Sequence, residues 1–363
     1  DPMLDAYADK KWATLQDTPL EFTITRENYE DEMTGTIVEN KELSKMLEER
    51  GISPIPKDFL GGRVGIVNKK GTDALMAIKQ YLPTLAQNMP YNDEYEQNIS
   101  TKGDAKQTMV DVDLVAVTGN VGEYRGGITL AENLPNDDKL SLKIGGGRRN
   151  VYHRQIRFIS DKAKLQERLD AILDKEQHQY YLDEADHWFT IGHENAHSLG
   201  PKKGGETLGK YRNIIEENKA DMGSLAFVDL LTELGMYTPE QRKQIIVTTI
   251  TDNFLKSKPT LSQAHRVRTV MQNKYFAERG AYEITPEGKI HVNIDKVVPI
   301  AKEMLAEIVR IQIDGDFDKA EKYVKDNFVW TDNMELIAQK LQQVNKTLNG
   351  RTEAKLAEKL LAE

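Results

Sequence analysis

Two short segments of the chain carry residues that bind metals and move protons. The first is residues 193–197 (HENAH) and the second is residues 217–221 (ENKAD). Histidines four positions apart lie about one helical turn from each other on the same face, so both imidazoles can bind one cation. Glu194 is displaced around the helix, where its carboxylate can accept a proton from a water in the open coordination position. The spacing is typical of a zinc hydrolase.

A catalytic zinc site also needs a third protein ligand. Residues 214–222 have helix-forming composition and offer Glu216 or Glu217. We choose Glu217, because Asp221 lies one turn further along the same face, where a second carboxylate can hold the ring N–H of a ligand histidine and fix its tautomer. Glu216 has Ala220 in that position. The predicted site therefore consists of the zinc ligands His193, His197 and Glu217, the general base Glu194, and Asp221 behind the ligands.

Composition excludes several classes of protein. The 363-residue chain is long enough to bury a sizeable core in two lobes or domains. Its net charge of -9, with no basic block to offset it, argues against a nucleic-acid binder. No stretch approaches the roughly 18 to 20 apolar residues of a membrane span. The absence of cysteine excludes disulfides, thiolate zinc sites and a cysteine nucleophile.

The start of the chain and the lack of cysteine bear on its location. The chain begins Asp1-Pro2-Met3, with neither an initiator methionine at position 1 nor a signal peptide, and we interpret this start as processed or truncated. A cysteine-free chain fits either the cytoplasm or a bacterial cell envelope. The sequence leaves both locations open, together with the oligomeric state.

The hydrophobic pattern changes near residue 150. Residues 1–150 are mixed and rather β-rich, whereas residues 151–363 have long helical periodicity interrupted by a short hairpin at 282–293. We predict an α+β fold with two lobes, a mainly helical zinc-binding lobe and a smaller β-containing lobe, and an active-site cleft between them. The predicted strands are 21–25 and 110–117, and the predicted helices are 43–50, 73–88, 161–181, 184–198, 211–234, 239–256, 261–279, 294–313, 316–327 and 332–347.

A glycine-rich segment between the two zinc-binding helices imitates a nucleotide site. Residues 204–210 match the first seven positions of a phosphate-binding P-loop. Tyr211 stands where the magnesium-binding Ser or Thr belongs, and the segment follows a helix instead of a strand. We interpret it as the connection between the two helices.

Several separated blocks resemble the dipeptidyl-peptidase III family of zinc peptidases, in particular its shorter bacterial members. Together they run from about residue 18 to about residue 350. Residues 193–201 and 215–221 resemble the zinc motif and the Glu-Glu-x-x-Ala-Asp/Glu motif, whose second glutamate is the ligand, in agreement with Glu217. The other blocks are 26–32, similar to the Glu-x-Tyr segment, 132–137, similar to the Asn-x-Pro-Asn strand end, and 263–266, similar to the segment of the transition-state histidine.

The resemblance implies roles for residues outside the zinc motifs. Tyr29 would stabilise the reacting carbonyl, and His265 would stabilise the transition state. The substrate's amino terminus would be held by Glu27, Asn133 and Asn136.

The chain departs from the family pattern at two places. Longer family members carry a six-residue HExxGH motif, whereas this chain has the five-residue form that some bacterial members share. Family members also carry a considerable segment upstream of the Glu-x-Tyr block that forms much of the β-rich lobe. About 26 residues precede that block here.

From these observations we predict a metallopeptidase that acts on peptides and removes short units, dipeptides, from their amino termini, with one Zn²⁺ per chain. Two alternatives stay open. One is a zinc hydrolase of a non-peptide amide or ester, since the zinc chemistry is shared and only the ammonium-binding residues distinguish the two. The other is a catalytically inactive binding or scaffold protein that keeps zinc for stability.

Overall fold

A computed structural model describes residues 20–28, 49–50, 58–96, 109–118, 131–134, 149–153, 162–201, 205–261 and 263–348. The chain divides into two compact units. Unit 1 consists of residues 1–79 and 103–159, and unit 2 of residues 80–102 and 160–363. The domain boundary at residue 150 stays a prediction.

Unit 1 contains a five-stranded mixed sheet in the order β1-β2-β3-β5-β4. The β3–β5 pair is parallel, and the other neighbouring pairs are antiparallel. Val110, Val112 and Val151 form a small buried core on these strands. Strands β1 and β3 contain the segments predicted at 21–25 and 110–117. The strands are β1 (Leu20–Asn28), β2 (Asp58–Val67), β3 (Met109–Thr118), β4 (Ala131–Leu134) and β5 (Arg149–His153).

Strand β2 has a composition that hides it from sequence patterns. Its sequence, DFLGGRVGIV, contains three glycines, and glycine is depleted in strands. At Gly65 the glycine is required by packing, because a Cβ there would lie 2.7 Å from Val112 Cβ. The pairing of β2 with β3 also shifts between Val64 and Gly65. A glycine at a bulge lets two backbones approach closely.

Unit 2 is mainly helical, so the chain has the α+β composition that the sequence predicts. The segment predicted as one helix at 73–88 consists of α1 (Lys69–Met76), a 3-10 helix (Ala77–Tyr81) and α2 (Leu82–Gln87). The later helices are α3 (Lys162–Ile172), α4 (Asp183–Ala196), α5 (Arg212–Ala226), α6 (Val228–Glu233), α7 (Pro239–Asp252), α8 (Ala264–Glu278), α9 (Ile294–Asp314), α10 (Phe317–Asn327) and α11 (Asp332–Leu348).

The helices predicted from residue 161 onward are confirmed, with two of them divided and the one predicted at 239–256 ending at Asp252. The helix predicted at 43–50 lies, apart from residues 49–50, outside the described residues. The helix predicted at 161–181 ends at Ile172, because Asp174 caps a separate 3-10 helix (Lys175–Tyr180) by accepting a hydrogen bond from the Glu176 N–H. The helix predicted at 211–234 is divided at Phe227 into α5 and α6. The predicted hairpin is β6 (Tyr282–Ile284) with β7 (Ile290–Val292). The described part of the P-loop-like segment lies in a 3-10 helical stretch (Gly205–Tyr211) that is kinked at Gly209.

Helix ends were predictable where capping residues mark them. Thr238 and Gln241 form a capping box at the start of α7, with Pro239 in the first turn. Gly315 ends α9 in the left-handed conformation with φ 59°, where a side chain would be strained. Such local signals make the boundaries of these helices readable from the sequence alone.

Helix α5 lies in the interior of unit 2 and packs against α4, α8 and α9. Ile215, Met222 and Leu225 join the main hydrophobic core. The same helix also buries Asn218, Lys219, Asp221 and Ser224. Buried polar groups are costly unless they are hydrogen-bonded, so neighbouring helices must supply partners for this face.

Small residues allow α4 and α5 to approach closely. A Cβ at Gly223 would lie 2.8 Å from Ala196 Cβ, and a Cβ at Gly192 would collide with the side chain of Ser224. Ser224 Oγ donates a hydrogen bond to the Phe189 carbonyl at 2.8 Å, which fixes the contact further. The distance between the two helices is therefore set by glycine.

Among the residues that the structure describes, no helix has both the length and the apolar character needed to cross a membrane.

We expect Gly223→Ala to reduce the free energy of unfolding by about 1–2 kcal/mol. Overpacking a tight contact costs about 1–3 kcal/mol, and alanine recovers part of this through its helix propensity. Urea denaturation measures the loss. The control is Ala196→Gly combined with Gly223→Ala, which should be less destabilised than the sum of the two single changes. An additive loss would show that the two positions do not compete for the same space.

Candidate metal centre

Three donor side chains from α4 and α5 converge in unit 2. One ligand atom each from His193, His197 and Glu217 lies within 4.8 Å of the others, an arrangement that could hold a metal ion. The two histidine Nε2 atoms are 3.1 Å apart, and His193 Nε2 lies 3.4 Å from Glu217 Oε2. Ligand atoms about 2.0–2.2 Å from a tetrahedral zinc lie about 3.2–3.6 Å from each other. The third pair, His197 Nε2 and Glu217 Oε1, is 3.9 Å apart. The three side chains therefore form a group that could hold a metal ion.

The outer ring nitrogens of both histidines contact carboxylates. His193 Nδ1 lies 2.7 Å from Asp221 Oδ1, and His197 Nδ1 lies 2.9 Å from Glu216 Oε1. Because a carboxylate only accepts, these partners place the proton on Nδ1 in each ring. The two Nε2 lone pairs then face each other, an arrangement that a shared cation stabilises. The donor set therefore fits a metal with imidazole and carboxylate ligands.

Glu217 supplies a charged oxygen to this group. Burial would raise the pKa of Glu217, but its interactions with His265, His197 and His193 outweigh burial and hold that pKa well below its usual range. The carboxylate is therefore ionised at neutral pH. An ionised carboxylate is the form that binds a metal.

Glu216, which the sequence analysis set aside as a ligand, contacts a predicted ligand histidine instead. It accepts hydrogen bonds from His197 Nδ1, from Lys219 Nζ at 2.9 Å and from Gln312 Nε2 at 2.8 Å. Burial would raise the pKa of Glu216, but the Lys219 ammonium and His197 lower it below its usual range. The sequence contains one indication of this role, because Glu216 precedes Glu217 on the same helix. Adjacent helical residues point in different directions, so Glu216 can contact one histidine and Asp221 the other.

Lys219 connects this carboxylate to the end of α4. Its side chain is buried, and Nζ donates to the Leu199 carbonyl at 2.8 Å in addition to Glu216. Hydrogen bonds to several acceptors offset the free-energy cost of burying an ammonium group. The segment after His197 is therefore fixed to the same helix that carries Glu217.

Helix α8 presents a polar stripe to α5. His265, Arg268 and Gln272 are three and four positions apart, so they share one helical face. His265 Nδ1 lies 3.2 Å from Glu217 Oε2, Arg268 forms an ion pair with Asp221, and Gln272 Nε2 donates to Asp221 Oδ2 at 2.9 Å. Each residue of the stripe contacts a carboxylate of the metal centre.

His265 and Glu194 differ in exposure. The His265 side chain is 46% exposed although its ring reaches Glu217, so it combines contact with the centre and access to solvent. Glu194 follows His193 on α4 and is 7% exposed. Its charge acts on Arg268, where burial lowers the pKa of the guanidinium and the carboxylates of Glu217 and Glu194 offset only part of that effect. Both residues are thus in the neighbourhood of the ligands.

The residues predicted to bind substrate belong to unit 1. Glu27 is in β1, where it pairs with Phe59, and Asn133 is in β4, where it pairs with Asn150. These two strands are at opposite ends of the sheet order. Tyr29 and Asn136 lie outside the described residues. The roles of all four stay predictions.

Comparisons with known proteins place this geometry in context. No family model matches the chain. Among curated proteins, it is 26% identical over 370 residues to Nudix hydrolase 3 of Arabidopsis thaliana, a match that covers 98% of this chain and 43% of that protein.

Two solved structures are similar over most of the chain. They are DPP III from Caldithrix abyssi, with a TM-score of 0.69 and 24% identity, and dipeptidyl-peptidase III from Corallococcus sp. strain EGB, with a TM-score of 0.71 and 20% identity. Each match covers 93% of this chain, and respectively 62% and 60% of the other chain. The chain therefore spans less than two thirds of the length of these structures.

The fold and the site together define a class. The chain has the α+β fold of the dipeptidyl-peptidase III structures and, in its helical unit, a His-His-Glu group that could bind a metal. The resemblance that the sequence blocks indicated is confirmed at the level of the fold.

We expect Glu216→Gln to weaken zinc binding about 10–100-fold, the usual effect of losing a carboxylate behind a ligand histidine. Competition with a chromophoric zinc chelator measures the affinity. The matched control is Glu240→Gln, which changes an exposed carboxylate in the first turn of α7. If both variants bound zinc as tightly as the unmodified chain, Glu216 would have no part in the centre.

Proposed function

We propose that the protein is a zinc-dependent metallopeptidase that removes dipeptides from the amino termini of peptides. The observation that carries the proposal is the convergence of His193, His197 and Glu217, with Glu194 beside the first ligand, in a chain with the fold of dipeptidyl-peptidase III structures. One Zn²⁺ per chain is the cofactor.

The ligand set supports hydrolysis because, within the part of the chain that the structure describes, it contains three protein donors. His193, His197 and Glu217 would hold the zinc and leave a coordination position open, where the bound metal would supply Lewis-acid activation of water and of the scissile carbonyl. Glu194 takes the proton of the attacking water and later delivers it to the leaving amine. Asp221 and Glu216 keep the imidazoles in the tautomer that binds a metal through Nε2.

His265 supports the same reaction from α8. Its partly exposed ring can reach a substrate near the ligands, and a ring N–H can donate to the oxygen that gains negative charge in the transition state. Tyr29 would add a second donor. Glu27, Asn133 and Asn136 would bind the substrate's ammonium group. Binding of that group would select the second peptide bond for cleavage.

Glu194→Ala distinguishes catalysis from a structural zinc. We expect the variant to keep zinc and to lose about 10²–10⁴-fold in the hydrolysis of dipeptidyl-arylamides, the usual contribution of a general base. Metal analysis measures the zinc content of the variant, and the arylamide assay measures its rate of hydrolysis. Glu184→Ala, in the first turn of the same helix, is the control. One zinc per chain with no hydrolysis of any amide or ester would instead support a zinc-stabilised binding protein.

Acetylation of the substrate's amino terminus tests the exopeptidase proposal. If an ammonium-binding site sets the cleavage position, the acetylated dipeptidyl-arylamide should not be cleaved under conditions that cleave the free amine. Equal hydrolysis of both substrates would favour the alternative of a zinc hydrolase acting on other amides or esters.

We expect His265→Ala to lower kcat about 10²–10³-fold, with a smaller change in KM, because an oxyanion donor acts mainly in the transition state. Steady-state kinetics with the same arylamide measures both constants, and zinc analysis checks that the metal is retained. A change confined to KM would assign His265 to ground-state binding.

A further inference from the structure

Arg268 is a partly buried cation next to the metal centre. It lies on α8, its side chain is 16% exposed, and it forms an ion pair with Asp221, whose side chain is 1% exposed. Burying a charge costs several kcal/mol unless it is paired. The general packing of unit 2 does not explain why this ion pair lies beside the metal centre.

The two oxygens of Asp221 have different partners. Oδ1 accepts from His193 Nδ1 at 2.7 Å, whereas Oδ2 contacts Arg268 and accepts from Gln272 Nε2 at 2.9 Å. With Oδ2 held from α8, the carboxylate has one orientation, and in it Oδ1 points to the ligand ring. Arg268 is thereby connected to His193 through a single side chain.

The surroundings of the Arg268 guanidinium indicate that this residue does more than stabilise unit 2. Burial holds the pKa of Arg268 below its usual value, and the negative charges of Glu217 and Glu194 act in the opposite direction. Its Nε is buried and has no hydrogen-bond partner among the described residues. A pair selected only for stability would be expected to satisfy that donor as well.

We propose that Arg268 is a positioning residue of the metal centre, which fixes Asp221 so that the His193 ring presents Nε2 to the metal. The inference rests on the metal binding in the proposed function and not on peptide cleavage. It adds a cation from a third helix to a centre whose donors come from α4 and α5.

The test compares Arg268→Gln, Arg268→Lys and Arg266→Gln in the full chain. Zinc affinity is measured by chelator competition, and ligand geometry by the visible spectrum of the Co²⁺-substituted protein. We expect Arg268→Gln to weaken zinc binding about 10–100-fold and to change the Co²⁺ spectrum, and Arg268→Lys to recover most of the affinity. Arg266 bonds to Ser257 and Gln263, and its variant should behave as the unmodified chain.

Wild-type affinity and an unchanged Co²⁺ spectrum in Arg268→Gln would overturn the inference. Because an unpaired Asp221 can prevent folding, Asp221→Asn is also compared with Asp221→Asn/Arg268→Gln. Equal zinc affinities support action through Asp221, and a further tenfold loss in the double variant overturns it. If the unmodified chain binds zinc but cleaves no peptide, the proposed function fails and this comparison still decides the role of Arg268.

Discussion

Three carboxylates on one buried helix, Glu216, Glu217 and Asp221 of α5, are the constraint on which the rest of unit 2 depends. A buried carboxylate is tolerated only with compensating charge or hydrogen bonds. Glu216 is matched by Lys219, and Asp221 by Arg268. Glu217 is faced by the histidines instead. The negative charge that remains for a metal therefore comes from Glu217, while the other two carboxylates orient the rings that would share the ion with it.

The scaffold meets this constraint with packing and with polar contacts on different faces of the same helix. Where α5 meets α4, Gly223 and Ala196 allow the backbones to approach, which brings the histidines close to Glu217. Where α5 meets α8, the contacts are ionic and hydrogen-bonded instead. The contact between α4 and α5 determines the distances between the donor side chains. The contact between α5 and α8 determines the orientation of those side chains.

The sequence predicted the parts of the centre that depend on local spacing. His193 and His197 are related by the helical repeat, and Glu217 with Asp221 follows the same rule, so helical spacing together with ligand chemistry indicated the group that could bind a metal. Gln312 and Arg268 could not be named in this way, since their partners are about a hundred and about fifty residues away and only tertiary packing brings them together. Helix ends with caps were likewise readable, whereas the glycine-rich β2 had no strand pattern to read.

Nineteen residues separate His197 from Glu217 along the chain, and this separation gives a bound ion a second consequence. An ion coordinated by both residues is a cross-link that closes this loop, much as a disulfide would. A disulfide over a loop of roughly fifteen residues removes unfolded-state entropy worth about 3 kcal/mol. Metal binding and folding of unit 2 would therefore be coupled equilibria. Removal of the ion would lower the free energy of unfolding of unit 2.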